Sequence, residues 1–488
     1  MLLTKILEKL DNREIKIKRF GKISANQIDI ESITQFSKEA MSGKIFVCLS
    51  GEKHDGHFFI SEALKKGVRV FLSERNDLEL ESGILIISNN ARKTMAEIAK
   101  IIYEFPFEAV IKIAVTGTKG KSTVCELVAS ALRSFGIKTL SVGTLGAYLE
   151  EKIELSNTTP DATFLFPLMK RAYDLGARVF VIEVSSQALK DLRVWGINFD
   201  IVAFTSFGKD HIGAGEHATF SEYLSTKKTL FTSYGARLAV TNYDDPYSSF
   251  FTEKIKDVIK CGASRGSDYR IENIRSGFFG MSFSLSGICE NFSLTGNFNA
   301  TNIAISAAIL QKITGKPLFL ILRALAKIRI KGRMECYCIR SRFTIIDYAH
   351  NEKSLNDLLK FVRSISKRKI ITVFGSVGER SRNRRRELAE IASGLSDFSV
   401  ITSDNPNFEN PYEIAEEIYS YYPEKEKALI VVDRNAAIRS AFKKSRPGDI
   451  IMLLGKGHEE YMLENGKKLK FSERDIIFDI KKDINFEI

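Results

Sequence analysis

One short glycine-rich segment constrains this chain more than any other: Thr-Gly-Thr-Lys-Gly-Lys-Ser-Thr over residues 116–123. It follows an apolar run over 109–115 and precedes a helix-like run over 124–135. Gly117 and Gly120 allow a tight turn whose backbone N–H groups converge on an anion, and the start of the helix adds its positive dipole end. A strand, a phosphate-binding loop and a helix in this order predict a parallel α/β sheet.

The side chains of this loop have the chemistry of a nucleotide site. Lys121 can reach the outer phosphates, and the Ser122 hydroxyl can ligate Mg²⁺. Only two residues separate the glycines, whereas the usual P-loop has four, which argues against a generic GTPase or motor ATPase. The residues predicted to bind the nucleotide here are Gly117, Thr118, Lys119, Gly120, Lys121, Ser122 and Thr123.

Chain length and strand–helix alternation predict the architecture. The 488 residues exceed one hydrophobic core and suggest about three domains. Apolar strands alternate with helical stretches in the middle of the chain and again in its last third, which implies parallel sheets wrapped by helices. We therefore predict an α/β fold with three domains: an N-terminal domain over 1–108, a central P-loop domain over 109–331 and a Rossmann-like domain over 332–488.

Composition excludes several classes of protein. No run approaches the ~18 apolar residues of a membrane span, and an acid follows the first apolar residues, so we expect a cytoplasmic protein without membrane insertion. The six cysteines form no Cys-x-x-Cys pair, so neither a disulfide framework nor a zinc site is indicated.

The net charge of +12 permits an acidic partner, either nucleic acid or a phosphorylated metabolite. The arginine-rich run 380–386 is the local argument for nucleic acid, but no aromatic residues interleave with it and no known nucleic-acid motif surrounds it. We predict no nucleic-acid partner. A P-loop NTPase stimulated by nucleic acid stays the alternative from a different class.

Two further side chains are placed by the strand pattern at the phosphate-loop edge of the predicted sheet. Glu183 directly follows the apolar strand 179–182, where a carboxylate can hold Mg²⁺. His211 follows the next predicted strand, which ends near Phe204. Taken singly, an acid at a strand end usually faces solvent, and a histidine is more often a packed or surface residue. The nearby phosphate loop favours the metal-binding interpretation for Glu183.

Short motifs in a fixed order connect these features: T-G-T-K-G-K-S-T, N-T-T-P, E-V-S-S, D-H, Y-x-x-x-K, G-x-F-N-x-x-N, G-R-M-E, D-Y-A-H, D-N-P and G-K-G-H-E. Their order and spacing, from Ile45 to Asp475, resemble the Mur ligases that add the third amino acid of the peptidoglycan stem. The resemblance implies a monomeric, ATP- and Mg²⁺-dependent amide-forming ligase acting on UDP-N-acetylmuramoyl-L-alanyl-D-glutamate. Folylpolyglutamate synthetase or another Mur ligase is the alternative within the superfamily.

The resemblance also implies a metal-binding and catalytic set. In the family, a second Mg²⁺ is held by the histidine of D-H and by a carbamylated lysine, which match His211 and Lys227. Carbamylation, giving N6-carboxylysine, turns an ammonium into a carboxylate-like ligand. Lys228 competes for this role, although the Y-x-x-x-K spacing from Tyr223 selects Lys227. The implied metal ligands are Ser122, Glu183, His211 and Lys227, and the implied catalytic residues are Lys121, Lys227 and His211.

For the UDP-muramoyl substrate, the resemblance implies an N-terminal UDP-binding domain and contacts from several motifs. Thr158 and Thr159 would supply hydroxyl groups, and Arg193 would offer a planar fork to a carboxylate or phosphate. Around Ser37 the chain reads Phe-Ser-Lys, where the family usually has Asp-Ser-Arg. The implied contacts are Ser37, Thr158, Thr159, Ser185 and Arg193.

For ATP, the resemblance implies contacts beyond the phosphate loop. Asn299 and Asn302 would face the adenine or support its site, and the alternative is that this pair caps a helix. Arg333 and Asp347 would reach ATP from the third domain.

The incoming amino acid would be bound by the third domain, with Arg380 on its α-carboxylate and Glu459 on its amino group. The implied contacts are Arg380, Asp404, Asn405, Asn407, Gly455 and Glu459. In relatives that add meso-diaminopimelate, arginine follows D-N-P and its fork pairs with the distal carboxylate of the substrate. This chain has Asn407 there, and an unpaired carboxylate in a closed pocket is costly, so we predict L-lysine. The alternatives are ornithine, or meso-diaminopimelate with Arg382 or Arg384 replacing the fork.

Overall fold

The computed structural model describes residues 1–10, 14–51, 55–208, 217–379 and 382–483. Over those ranges, no helix is both long and apolar enough to span a bilayer.

The chain divides into two compact units. The first comprises residues 1–271 and 301–321, and the second comprises residues 272–300 and 322–488. Three elements cross the division: strand Tyr269–Gly277, helix Asn297–Thr314 and helix Leu318–Ala326. The finer division into three domains stays a prediction.

The first unit begins with a small sheet. Its elements are α1 (Leu3–Lys9), β1 (Ile15–Phe20), β2 (Ser32–Thr34), β3 (Lys44–Val47), α2 (Ile60–Lys65), β4 (Val70–Ser73), β5 (Gly83–Ser88) and α3 (Ala91–Ile102). The strand order is β1-β5-β4-β3-β2. Strands β2 to β5 are parallel, and β1 runs antiparallel to β5 along the edge. The fully buried run of β5 is typical of a strand covered on both faces.

A larger parallel sheet follows in the same unit. Its elements are β6 (Ile111–Thr116), α4 (Lys121–Ser134), β7 (Thr139–Gly143), β8 (Gly146–Tyr148), β9 (Lys152–Ile153), α5 (Ala162–Asp174), β10 (Val179–Glu183), α6 (Ser186–Lys190), β11 (Ile201–Phe204), α7 (Phe220–Thr232), β12 (Leu238–Asn242), α8 (Ser248–Thr252) and β13 (Asp257–Gly262). The order β13-β12-β11-β6-β10-β7 is parallel, with β8 and β9 antiparallel at the edge. Since β6 lies between β11 and β10, the loops after these strands meet at one edge.

The second unit contains a Rossmann-like sheet. Counting the boundary elements as β14, α9 and α10, its own elements are β15 (Gly280–Leu285), β16 (Ile288–Phe292), β17 (Glu335–Ile339), β18 (Arg342–Asp347), α11 (Glu352–Ile365), β19 (Ile370–Phe374), α12 (Arg382–Leu395), β20 (Phe398–Ile401), α13 (Pro411–Ser420), β21 (Ala428–Ile430), α14 (Arg434–Lys444), β22 (Ile450–Leu454), β23 (Tyr461–Glu464), β24 (Lys467–Lys470) and α15 (Glu473–Lys482). The order is β17-β18-β22-β19-β20-β21, parallel except at β17.

Helices cover both faces of this last sheet. Buried residues of α11, α12 and α13 form one apolar cluster, and those of α14 and α15 form the other. The sheet therefore has two covered faces, and the ends of its strands are left for polar side chains. The predicted α/β class, with a P-loop sheet and a Rossmann-like sheet, is confirmed.

Candidate active site

The phosphate loop is held in place by the segment that follows β11. The Thr118 N–H donates to the carbonyl of Ser206 at 2.6 Å, and the Lys119 N–H donates to the Ser206 hydroxyl at 3.1 Å. A Cβ at Gly117 would lie 2.1 Å from the Thr205 hydroxyl oxygen, and φ there is 148°. Glycine is therefore required, because only a residue without a side chain lets the two loops approach this closely.

Lys121 and Ser122 open α4 beside a buried carboxylate. The Lys121 ammonium donates to the carbonyls of Gly117 and Thr118, both at 3.0 Å, and lies 4.0 Å from Oε1 of Glu183. The Ser122 hydroxyl donates to Oε2 of Glu183 at 3.0 Å. Glu183 is 2% exposed at the end of β10. The structure thus brings together the hydroxyl and the carboxylate that the sequence selected, and both offer oxygen atoms of the kind that Mg²⁺ prefers.

Lys227 lies against the same loop. Its side chain is buried in α7, and its Nζ donates to the carbonyl of Gly117 at 3.0 Å. Tyr223, one helical turn earlier, places its hydroxyl 3.0 Å from Oγ1 of Thr118. Lys228 instead pairs with Glu253 and lies over the ring of Phe250. The geometry places Lys227, not its neighbour, beside the phosphate loop.

His211, the predicted partner of Lys227, lies outside the described residues. Elsewhere in the part of the chain that the structure describes, no three His, Cys, Asp or Glu side chains are grouped so that they could hold a metal ion. Among the described residues, the geometry supports a metal site at the Ser122 hydroxyl and the Glu183 carboxylate, with the buried Lys227 beside the same loop.

The N-T-T-P segment reaches the same edge of the sheet. Oγ1 of Thr158 lies 3.0 Å from Oγ1 of Thr144. The Thr159 hydroxyl is fully buried, donates to the Glu183 carbonyl at 2.7 Å and accepts the Ser185 N–H at 3.1 Å. Ser185 in turn caps α6, since its hydroxyl accepts the N–H of Ala188 at 3.1 Å. Thr159 and Ser185 therefore use their hydroxyl groups within the protein and shape the loop.

Arg193 is also engaged internally. Its guanidinium donates to the Thr159 carbonyl at 3.0 Å and to Asp191 at 2.9 Å, and Nε lies 3.4 Å from Asp161. The side chain is 14% exposed, so it is a nearly buried brace between two carboxylates. Ser37 belongs to the small N-terminal sheet region, where its carbonyl accepts the Lys66 ammonium at 2.9 Å.

The two predicted adenine-site asparagines lie inside α9. The helix begins at Asn297, so neither Asn299 nor Asn302 is its N-cap, and the capping alternative is wrong. Both side chains are buried. Nδ2 of Asn299 donates to the Thr295 carbonyl at 2.7 Å. A Cβ at Gly120 would lie 2.5 Å from Oδ1 of Asn302, so this amide touches the phosphate loop.

In the second unit, Asp347 ends β18 and organises the loops around it. Its carboxylate accepts the N–H groups of Met334 at 2.7 Å and Ala349 at 2.8 Å, and its carbonyl accepts the Gly455 N–H at 3.1 Å. The Arg333 guanidinium carbon lies 4.9 Å from the centre of the Tyr348 ring, in a cation–π arrangement. Burial and the nearby Glu459 raise the pKa of Tyr348, which keeps the phenol neutral.

Predicted contacts to the amino acid meet where β20 and β22 end. Asp404 and Asn405 follow β20, and Gly455 follows β22. A Cβ at Gly455 would lie 2.4 Å from Oδ2 of Asp404, so the two strand ends are in close contact. Nδ2 of Asn405 donates to Oε2 of Glu459 at 2.8 Å. The structure thus brings four of the six predicted residues together.

Lys456 joins this group although it was not among the predicted contacts. Its fully buried ammonium donates to Asn405 and Glu459, both at 2.7 Å, and lies 3.9 Å from Asp404. A lysine between two glycines after a buried strand was the available signal, and it stands inside the G-K-G-H-E motif. The buried ammonium offsets the charge of the two carboxylates.

The other two predicted contacts to the amino acid are Asn407 and Arg380. Asn407 has a φ of 52° and uses its amide within the loop, because Nδ2 donates to Glu379 and Oδ1 accepts the Gly466 N–H at 2.9 Å. Asparagine tolerates this left-handed backbone better than most residues. Arg380 lies outside the described residues.

The fold and the phosphate loop define an α/β enzyme with a P-loop sheet in its first unit and a Rossmann-like sheet in its second unit. Sequence models of Mur ligases match three stretches in order: the Mur ligase family catalytic domain at 29–104, the Mur ligase middle domain at 115–310 and the glutamate ligase domain at 332–457. A protein of Aquifex aeolicus (strain VF5), named UDP-N-acetylmuramoyl-L-alanyl-D-glutamate–2,6-diaminopimelate ligase, is 36% identical over 92% of this chain and 93% of its own length. The chain belongs to the Mur ligase family.

Solved structures agree on the fold. A UDP-N-acetylmuramoyl-L-alanyl-D-glutamate–2,6-diaminopimelate ligase aligns with a TM-score of 0.68 and 23% identity, covering 99% of both chains. A MurF ligase from Thermotoga maritima in complex with ADP aligns with a TM-score of 0.61 and 19% identity, covering 88% of this chain and 94% of that one. At these identities the likeness concerns architecture, and function is argued from the site.

Proposed function

We propose that this chain is an ATP-dependent ligase that joins a diamino acid to UDP-N-acetylmuramoyl-L-alanyl-D-glutamate in the synthesis of peptidoglycan precursors. The observation that carries the proposal is the contact of a phosphate loop with the buried Glu183 and Lys227 at one sheet edge, in a chain of the Mur ligase family. The names of its relatives support the UDP-linked substrate.

The chemistry requires an activated carboxyl group. In the proposed reaction, the γ-phosphoryl group of ATP passes to the side-chain carboxylate of the D-glutamate, giving an acyl phosphate and ADP. The amino group of the diamino acid then attacks the acyl carbon, phosphate leaves and an amide forms. Backbone N–H groups of the loop and the Lys121 ammonium would spread the charge of the transferring group, since phosphoryl transfer depends on positioning and electrostatics.

Mg²⁺ fits the residues present. The Ser122 hydroxyl and the Glu183 carboxylate are hard oxygen donors 3.0 Å apart at the start of a helix. When bound, Mg²⁺ would neutralise charge on the phosphate oxygens. The Lys121 ammonium is held at the loop by the Gly117 and Thr118 carbonyls, and lysine has three N–H donors.

Lys227 is proposed to act as a carbamate. Its amino group is almost fully buried and lies 3.0 Å from the Gly117 carbonyl, beside the loop where Mg²⁺ is proposed to bind. The ammonium first loses a proton, and the neutral amine then adds to CO₂ with release of a second proton, which leaves an anionic carbamate of carboxylate type. His211 is proposed as the second ligand from the family motif.

For the amino acid, we propose L-lysine. The position where diaminopimelate-adding relatives carry arginine is Asn407, and its amide is bound to the Glu379 carboxylate. Asp404 and Glu459 carry two negative charges, of which the Lys456 ammonium offsets one, so this cluster keeps a net negative charge. An ammonium at the distal end of the substrate suits these surroundings better than a carboxylate does.

meso-Diaminopimelate is the second candidate, because the Aquifex aeolicus relative is named for it. In that case an arginine of α12, Arg382 or Arg384, would have to pair with the distal carboxylate. These arginines come directly after the loop that contains Glu379.

One assay separates the candidates. Purified protein is given ATP, Mg²⁺ and the UDP-muramoyl dipeptide with L-lysine, L-ornithine or meso-diaminopimelate at equal concentration, and the tripeptide product is quantified. We expect product with L-lysine at a rate at least about tenfold above meso-diaminopimelate, the factor that one charge-assisted contact supplies. A preference for meso-diaminopimelate overturns the lysine assignment. ATP hydrolysis stimulated only by DNA or RNA overturns the ligase itself.

A further inference from the structure

A buried arginine ties together the two strand ends that carry the proposed amino-acid contacts. Arg434 is the first residue of α14, and its side chain is fully buried. Its guanidinium donates to the carbonyl of Ser403 at 3.1 Å and to that of Leu454 at 2.6 Å. Ser403 directly precedes Asp404, and Leu454 directly precedes Gly455. One planar group therefore spans the ends of β20 and β22.

The charge of Arg434 is balanced by Glu473, the first residue of α15. Oε1 of Glu473 accepts Nε at 3.0 Å and Nη2 at 2.8 Å, and its side chain is 1% exposed. Within the described residues, Oε2 of Glu473 has no hydrogen-bond partner, and burial raises the pKa of this carboxyl group. Such a pair is an expensive way to stabilise a fold, since apolar residues of similar volume often do as well or better. The contacts of Arg434 with the two strand ends suggest a role for this pair other than stability.

A second arginine acts on the same loop. Arg474 donates from Nη1 to the Gly457 carbonyl at 3.2 Å, and its Nη2 lies 2.6 Å from the Glu335 carboxylate. The first turn of α15 therefore also holds the loop that follows β22.

The carboxylate cluster formed by Asp404 and Glu459 is held by short contacts. The Lys456 ammonium bridges Asn405 and Glu459 at 2.7 Å each, one partner from each strand end. Gly455 approaches Asp404 so closely that no Cβ fits. A change in the separation of the strand ends breaks these contacts before it unfolds the sheet, because hydrogen bonds lose strength within a few tenths of an ångström.

We propose that Arg434, with Glu473 as its counter-charge, is a positioning residue for the incoming diamino acid: it fixes the separation between Asp404 with Asn405 and the loop that carries Glu459. The proposal rests on the proposed function of these residues as contacts to that substrate. Arg434 itself touches neither substrate nor reacting atoms, and it acts through the two carbonyls that it holds.

The test uses the full-length Arg434→Lys variant, which keeps the positive charge but has no planar fork to reach both carbonyls. We expect the KM for the diamino acid to rise about tenfold, the cost of one charge-assisted hydrogen bond, with the KM values for ATP and the UDP-muramoyl dipeptide unchanged. Arg342→Lys is the matched control. Arg342 is equally buried and donates to the carbonyls of Arg340 and Ser445, but it stands at the opposite, amino end of β18.

The outcomes are distinct. An unchanged KM for the diamino acid in Arg434→Lys, or an equal rise in Arg342→Lys, overturns the positioning role. If Arg434→Lys does not fold, Glu473→Gln carries the test, because the amide keeps the shape and an acceptor while it weakens the hold on Arg434; a KM for the diamino acid equal to that of wild type then overturns the proposal. Failure of the wild-type protein to use any diamino acid would instead refute the proposed function.

Discussion

The phosphate-loop edge of the first unit and the Asp404–Glu459 cluster of the second are built on the same plan with different charged groups. Each lies where neighbouring parallel strands end, as expected for ligand sites in open α/β sheets. The first presents backbone N–H groups and two lysines, Lys121 and Lys227, around the buried Glu183. The second presents carboxylates around the buried Lys456. Topology thus brings polar side chains together at both edges, and we propose that phosphate binds at the first edge and an amine at the second.

Glycine has a different use in the two regions. At Gly117 and Gly120 a Cβ would meet the Thr205 hydroxyl and the Asn302 amide oxygen, so the absence of a side chain lets the loop pack closely against its neighbours. At Gly455 the approaching atom is a carboxylate oxygen of Asp404, so the missing side chain leaves space for a charged group. Glycine therefore permits the close approach of neutral polar groups in one region and of a single carboxylate in the other.

Lys227→Ala gives the largest expected effect, because it removes the group that distinguishes the first edge from an ordinary P-loop. We expect turnover to fall by at least about a hundredfold, as when one electrostatic contact to the transition state is removed. Lys228→Ala is the matched control and should stay near the wild-type rate, since Lys228 pairs with Glu253 on the surface. Product formation measures both. A normal rate in Lys227→Ala with loss in Lys228→Ala would show that the motif register is wrong.

Carbamylation itself is tested with the same variant. A short carboxylic acid such as propionate can occupy the space left by the lysine and supply an anionic oxygen, so it should restore part of the activity of Lys227→Ala. Isotope-labelled bicarbonate should give a carbamate signal by carbon NMR in the wild-type protein. Absence of both would leave Lys227 as a plain ammonium.

The fold was largely predictable because its strands are buried and apolar. The run 179–182, for example, was identified as a strand from the sequence, and β10 covers Val179–Glu183. The hairpin of β23 and β24 was not predicted, since the four residues of β24 are exposed and three of them are lysines. Buried parallel strands are recognisable in the sequence as apolar runs. An exposed strand has no such run, and its formation depends on pairing with the neighbouring strand.

The candidate site was predictable where backbone topology decides it. Glu183 and Ser122 meet because both follow adjacent strands of one sheet. The internal bonds of Thr159 and Arg193 were not predictable, because their partners come from other loops and are fixed only by tertiary structure. Sequence therefore identified residues that gather at the edge but not which of them bond within the protein.

Asn407→Arg tests the proposed preference for L-lysine near the Asp404–Glu459 cluster, and its expected effect is intermediate in size. A guanidinium at this position can pair with a distal carboxylate, so the ratio of L-lysine to meso-diaminopimelate rates should shift about tenfold toward meso-diaminopimelate. The rate with L-lysine should also fall, because arginine is strained at a φ of 52° and the bonds to Glu379 and Gly466 are lost.

Asn407→Ala is the control for this substitution. It removes the same two bonds without adding a cation, so we expect a lower rate with L-lysine and no gain with meso-diaminopimelate. Equal ratios in Asn407→Arg and wild type would mean that the distal end of the substrate does not lie near this position.

The smallest expected effect is on the pH dependence of stability in the second unit. Burial lowers the pKa of His350 to about 4, with the charges of Arg384 and Arg333 acting in the same direction against the bond to the Tyr348 carbonyl. The unfolded chain takes up a proton near the ordinary histidine pKa of about 6.5, whereas the folded protein does not. The stability contributed by neutral His350 is therefore complete above about pH 6.5 and is lost as the pH falls toward 4.

His350→Gln removes this titration while it keeps a polar side chain of similar length. Between pH 6.5 and 4, the free energy of unfolding should fall less steeply in the variant, by on the order of 1 kcal/mol over the range once partial exposure of the ring is allowed for. Urea unfolding at a series of pH values measures the slope. His458→Gln is a suitable comparison, because His458 also packs against Tyr348, so a change of slope found in His350→Gln and not in His458→Gln is specific to His350. Parallel curves for wild type and His350→Gln would show that the ring is already protonated, or freely titrating, in the folded protein.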